Sequence, residues 1–258
     1  MFTRKKRPDA RDVATRAIIL RHVAVYALVN PPHDVLAEIT NQWPAEELEK
    51  FRLASVQKRD EFWSQIGPLR SQMSPWEREF AACTPLTMTS AQQVKASWRV
   101  EAFQVLLWAL SACAEVPPYD TQADHDLLKT FPPSIKTPSL ISPEHIDQAR
   151  DDAELWHWRS RTRQLVEEGA PFSDDPQLAA AGFRSYDDIV RATARHAAAE
   201  SRIKLLDGDF GVLGKPYTAM DQAEWNTVHS ITIERHFALN WLCGYAPANR
   251  WDETPTDT

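Results

Sequence analysis

Three arginines stand among side chains that belong in a core. At 100° per residue, Arg99 projects among Phe103, Leu106 and Leu110, and Arg235 lies beside Ile231, Leu239 and Leu242. Arg159 stands at the margin of an apolar side made of Leu155, Trp158, Thr162, Leu165 and Val166. A buried guanidinium needs a partner, because an uncompensated charge in the interior is costly. Glu101, Glu154, Glu234, Asp252 and Glu253 are the acids available for pairing. Two chemistries fit. One is an internal ion-pair network that joins helices. The other is an arginine- and tryptophan-lined pocket for a small anion, with Arg99, Trp108, His157, Arg159, Arg161, Arg235 and Asn240 as ligand-binding candidates. Glu101, Glu234 and His236 are the candidate general acid–base groups. His229, His236 and Asn240 share a face at spacings of seven and four, but a helical histidine is usually packed or capped, so no metal site is assigned.

Several standard sites are excluded by spacing. Gly211-Val-Leu-Gly-Lys-Pro resembles a phosphate loop, but the glycine needed five residues before Gly214 is Asp209, and Pro216 stands where a hydroxyl residue would hold magnesium. Gly208, Gly211 and Gly214 also miss the dinucleotide fingerprint, and neither a Gly-x-Ser-x-Gly nor a His-Glu-x-x-His occurs. No cofactor is expected. Asp120, Asp124 and Asp126, with His125 between them, offer oxygens to a hard cation. The plainer reading is a turn in which Asp120 or Asp124 caps a short helix near 124–129.

The elements that must position these residues are helices. Asp9 caps a helix carrying Val13, Ala17, Leu20, Ala24 and Leu28, ended by Pro31 and Pro32. Ser74-Pro75-Trp76-Glu77 is a capping box with proline at the first helical position. Further helices are expected from Ser90 to Ala114, from Ser142-Pro143 to about Glu168, from Ser185 to near Leu206, and from Asp221 to a stop at Gly244. On the Ser90 helix, Ser97, Glu101, Gln104, Ser111 and Glu115 form one narrow polar stripe with Trp108 inside it. Six prolines between 117 and 143 mark a connection between possible lobes 9–116 and 142–248, packed as one domain over 9–258, with a flexible basic segment at 1–8. The fold expected is mainly α, a compact multi-helix bundle of two packed helical lobes, with at most a short β-hairpin near 207–217. The acidic tail 249–258 contains Trp251, too apolar to leave in water. It is expected to fold back over 249–254 and pair an acid with Arg235 or with an arginine of the 159–163 run.

Composition narrows the class. Only 7 glycines in 258 residues disfavour hairpin-rich architectures, and 10 tryptophans point to heavy packing. Three cysteines without a Cys-x-x-Cys fit a reducing compartment, and no apolar run reaches membrane-spanning length, so a soluble cytoplasmic protein is expected. A net charge of −7 gives no general field for nucleic acid, although Arg159, Arg161 and Arg163 beside Trp156 and Trp158 have the composition of a single-strand platform.

Four strings carry a family resemblance: Ser97-Trp-Arg-Val-Glu-Ala with Leu107-Trp-Ala-Leu, Trp156-His-Trp-Arg-Ser-Arg-Thr-Arg-Gln-Leu, Glu234-Arg-His-Phe-Ala-Leu-Asn-Trp-Leu, and Trp251-Asp-Glu-Thr-Pro. Together the chain resembles the bacterial domain-of-unknown-function family 4272 over nearly its whole length, from about Asp9. The resemblance implies a mostly helical cytoplasmic protein, and no activity, cofactor or catalytic residue comes with it. With no motif that demands chemistry, the reading adopted is a non-catalytic accessory or protein-interaction module with an unidentified protein partner. The alternative is an enzyme of unrecognised type that acts on a small anionic substrate in an Arg/Trp/Glu-lined pocket. Nothing in the pattern sets an oligomeric state.

Overall fold

The computed structural model describes residues 6–131 and 135–256. Most of the basic N-terminal segment, Pro132, Pro133 and Asp257 therefore lie outside the described residues. The fold is mainly α. The first half holds α1 (Ala10–Val29), α2 (His33–Thr40), α3 (Ala45–Ser64), α4 (Pro75–Ala82), α5 (Ser90–Ala109) and the single turn α6 (Leu127–Thr130). The second half holds α7 (Pro143–Glu167), the short α8 (Pro176–Ala180), α9 (Tyr186–Ala199), strands β1 (Leu205–Leu206), β2 (Asp209–Val212) and β3 (Lys215–Pro216), and α10 (Gln222–Leu242).

Capping chemistry sets most helix starts. Asp9, Ser74 and Asp221 start their helices as expected, each in a reciprocal capping box, with Asp12, Glu77 and Glu224 respectively. The α5 cap is Thr89 with Gln92, one residue before the expected Ser90. The ends differ more. α5 stops at Ala109 rather than Ala114, because Ser111 takes a left-handed φ of 57° and Ala112 N–H bonds back to Leu107 O at 2.8 Å. α9 stops at Ala199 rather than near Leu206 by the same device, with Ser201 at φ 61° and Arg202 N–H on Ala197 O. Gly169 and Gly244 occupy the equivalent positions after α7 and α10. The glycine stops are legible in the sequence; a serine in the same role is not.

The β segment is larger than one hairpin. β1, β2 and β3 form an antiparallel meander pairing Leu205 with Phe210 and Val212 with Lys215. Its two turns, Asp207-Gly208 and Leu213-Gly214, have positive φ at both residues, the signature of tight hairpin turns. Gly211 has no alternative: a Cβ there would lie 2.9 Å from both the Leu206 side chain and Lys204 O.

α10 packs against both α5 and α7, and α1 packs along α5. The larger apolar cluster runs from α1 through α5 to Ala238, Leu242 and Trp251, and also takes Ile146 and Ala153 of α7. A smaller cluster gathers Trp156, Ala194, Phe210, Tyr217, Trp225 and Val228 under the β meander. On α7 the buried side is not the one apolarity suggests. Of the expected apolar side only Thr162 is buried; Val166 is exposed and Leu155, Trp158 and Leu165 are only partly covered, whereas Ala153, Trp156, His157, Arg159 and Ser160 are buried. The polar members of that face find partners on α10 and β2, which outweighs the apolar count.

The tail folds back as expected and Trp251 is buried, edge-on to Phe237 at 4.8 Å between ring centres. Its described acids, Asp252 and Glu253, do not reach Arg235 or the 159–163 run. Asp252 accepts from the Trp76 backbone N–H at 2.9 Å, and Glu253 pairs with Arg250 at 2.6 Å. The N-terminus of α4 offers an unpaired N–H and the positive end of a helix dipole, while Arg159 and Arg235 are already committed elsewhere.

Candidate functional site

The polar residues of α5, α7 and α10 meet in the interior. Glu101 and Arg235 are both fully buried, and Glu101 Oε2 accepts from Arg235 Nη2 at 2.8 Å and from Nε at 3.0 Å. The pair also grips the proline-rich loop. Arg235 donates to the carbonyls of Pro117, Pro118 and Thr121, while Glu101 Oε1 accepts from Ala123 N–H at 2.8 Å. Gln104, on the same stripe of α5, accepts from Asp124 N–H at 3.0 Å. The loop from Pro117 to Asp124 is thus clipped to α5 and α10 by side chains.

Arg99 pairs with Glu234 at 2.9 Å and lies over the Phe237 ring. Arg159 makes a two-pronged pair with Asp209, at 2.8 Å and 2.7 Å, and stacks over Tyr217. Burial pushes the Asp209 carboxyl up, but Arg159 and the N–H groups of Phe210 and Thr218 outweigh it, and the net shift is downward. His157 and His236 share a hydrogen bond between their Nδ1 atoms at 3.0 Å. Asn240 donates to His236 Nε2 and to Pro255 O, and accepts from Arg150. Burial, then the charges of His229 and Arg161, lowers His157 to about 4. Burial, then His157 and Arg150, lowers His236 to about 3. Both are neutral in the fold at neutral pH, and one must donate to the other.

Ser160 and His229 are 2.7 Å apart, a nucleophile–base distance. Ser160 is fully buried, and His229 stacks on Trp225 with no carboxylate paired to it among the described residues. Trp108 is partly buried against the larger core cluster, and Arg161 is half-exposed, with Glu168 3.9 Å away. The aspartates of the proline-rich loop are used locally: Asp120 holds Leu213 N–H, Asp124 caps Asp126 N–H, and Asp126 pairs with Lys129. Among the described residues, no three His, Cys, Asp or Glu side chains gather as a metal site.

Concave space lies beside this lattice. A cleft of about 880 Å³ opens between the 115–120 loop, α7 and the 198–204 segment, and Tyr119, Asp152, Trp156, Arg202 and Lys204 line it. Tyr119 stacks on Trp156 at 5.2 Å, and its ring also meets the Arg235 guanidinium, 5.4 Å from the ring centre. Arg202 also borders a second hollow of about 510 Å³, lined by Glu154, Leu155 and Trp158. A third, of about 460 Å³, touches Arg159 and Arg163, both of which are already bonded to acids and carbonyls. Sequence reasoning places none of Tyr119, Asp152, Arg202 and Lys204 at a site. The chain brings them together from three separate segments, and no spacing rule links those segments.

These features define a mainly helical protein with a polar interior and side clefts, in which no helix of the described residues is long and apolar enough to cross a membrane. The chain belongs to the family described as Domain of unknown function (DUF4272), whose model matches residues 4–186. No curated protein and no solved structure matches it. The match stops short of α10 and the tail, so two of the four strings that suggest the family lie beyond it. The partners Glu234, Arg235 and His236 lie beyond it too.

Proposed function

We propose that the protein is a non-catalytic accessory or interaction module that acts through a protein partner. The observation that supports this reading is where the charge and the apolar surface go. Glu101, Glu234, Arg99, Arg159 and Arg235 commit their charges to one another or to Asp209 inside the fold, so none is free for chemistry. Apolar side chains meanwhile remain outside at the end of α1 and along α2, where Val29 is 66%, Ile39 47% and Val35 42% exposed. Val35 and Ile39 are four residues apart on one face of α2, the spacing by which a helix meets a partner. The three free cysteines, with the Cys243 thiol pushed up to about 12 by burial and the neighbouring Asp147, fit a reducing, cytoplasmic setting.

The test is a paired substitution, Val35→Lys with Ile39→Lys. It is expected to leave the circular dichroism and melting temperature unchanged while removing a partner that wild type retains from native lysate. Equal recovery of that partner by both proteins rejects this surface as the docking face. The enzyme reading keeps one observation, the cleft beside Trp156.

A further inference from the structure

The cleft shares no residue with the α1–α2 surface, and its polar groups have an arrangement of their own. On its floor, Arg202 commits Nε to Asp152 Oδ1 at 2.6 Å and reaches Glu200 with Nη1 at only 3.6 Å, which leaves Nη2 unpartnered among the described residues. Asp152 takes both Arg202 and Gln148 on Oδ1 and leaves Oδ2 open. The two side chains are 23% and 31% exposed, half-sheltered from water. A free donor and a free acceptor on one rigid pair complement the C=O and N–H of an amide. Lys204 and Glu115 both line the cleft at its exposed rim, and neither takes part in any ion pair among the described residues, including with the other. Asp120 lines the cleft too and is in no ion pair among the described residues, but its carboxylate is taken by Leu213 N–H and the Thr121 hydroxyl, so Lys204 and Glu115 are the rim charges left without a polar partner. Behind them the Tyr119–Trp156 stack offers an apolar wall.

We propose that this cleft binds a short peptide with free amino and carboxyl ends. Lys204 takes the carboxylate, Glu115 the ammonium, the Asp152–Arg202 pair an internal amide, and the Tyr119–Trp156 wall an apolar side chain. Lys204 and Glu115 each find a complement on a zwitterion and only one of them does on a plain anion or cation, which favours the zwitterion. The volume of about 880 Å³ lies inside the range of small-ligand sites, roughly 300–1,000 Å³. The wall is ready-made, because Arg235 and Glu101 clip the Pro117–Asp124 loop from behind and little ordering remains for the ligand to impose. Arg235 and Glu101 are positioning residues here; they do not face the ligand.

Isothermal titration of the whole protein tests this with glycyl-phenylalanine and glycyl-phenylalanyl-glycine, each also in N-acetylated and C-amidated form. Both blocked forms are expected to bind about tenfold more weakly than the free peptide, the effect of one lost charge-assisted contact. Lys204→Met is expected to remove the discrimination between acid and amide, and Glu115→Gln that between amine and acetyl, while each retains the other. Both positions are exposed, so both variants fold. Equal binding of free and blocked peptides overturns the proposal. So does inorganic phosphate binding as tightly as the peptides, or the absence of heat with every peptide.

Discussion

α3 and α5 are both 20-residue helices that carry acids and bases, yet they use them in opposite ways. On α3, Lys50 pairs with Glu46 and Glu47 and Arg52 with Glu49, all within the helix and all in water. Only Ser55 and Trp63 of that helix are buried. On α5 Lys95 stays exposed, but Arg99 reaches across the molecule to Glu234 and Glu101 to Arg235, and there is almost no solvent around those pairs. Pairs of the first kind stabilise a helix slightly and are screened by salt. Pairs of the second kind contribute little net energy as wholes, but each half becomes a large liability when its partner is removed. The two helices therefore predict opposite responses to the same chemical change.

Removing one buried partner is the strongest way to sharpen this contrast. Glu101→Ala leaves Arg235 as a buried charge and is expected to cost roughly 3–5 kcal/mol by urea denaturation. The double variant Glu101→Leu with Arg235→Met recovers much of that loss. If single and double variants share an unfolding midpoint, the stranded charge is not what destabilises. Trp251→Ala comes next, at roughly 3 kcal/mol, since it opens a hole beside Phe237 and Trp241 and frees the tail. A melting temperature equal to that of wild type would show that the docked tail adds nothing to the core.

The histidine pair sets a smaller, pH-dependent effect. In the folded protein His157 and His236 are lowered from 6.5 to about 4 and about 3, so the unfolded chain binds protons that the native state refuses. Their contribution is complete above about pH 6.5 and is lost as pH falls towards 4. The melting temperature should drop by several degrees across that window, and His236→Asn should flatten the slope. A slope unchanged in His236→Asn assigns the acid sensitivity elsewhere. Smallest of all, Glu49→Gln on α3 should leave the melting temperature within about a degree of wild type, and a larger drop would break the distinction between the two helices.

Legibility follows the same divide. The anomalous placement of Arg99 and Arg235 is readable from helical periodicity, because their neighbours are apolar and the acids Glu101 and Glu234 lie on the same two helices. α3 is not readable that way. Its apolar face is thin and broken by Ser55 and Arg59, and its main anchors, Phe62 and Trp63, both lie at its C-terminal end, against Tyr26 of α1. Arg159 is visible as marginal, but its partner Asp209 lies on a strand far along the chain, where the sequence marks it only as the residue that breaks a phosphate loop. The cleft is illegible for a related reason. Its floor pair, Asp152 and Arg202, spans a helix and a post-helical turn whose start depends on a serine in the left-handed region.

The closure of the larger core by α10 and Trp251 sets an order of events during synthesis. α1, α4 and α5 leave the ribosome long before the segment that covers them, and Glu101 waits unpaired until Arg235 appears. Until then the growing chain is expected to leave uncovered the face of α5 that carries Glu101 and that α10 later closes. Arrival of Arg235 supplies both the partner of Glu101 and the donors that hold the proline-rich loop. A ribosome stalled between α9 and α10 should therefore display a nascent chain that proteases cut within α5, and release of the full α10 should end that sensitivity.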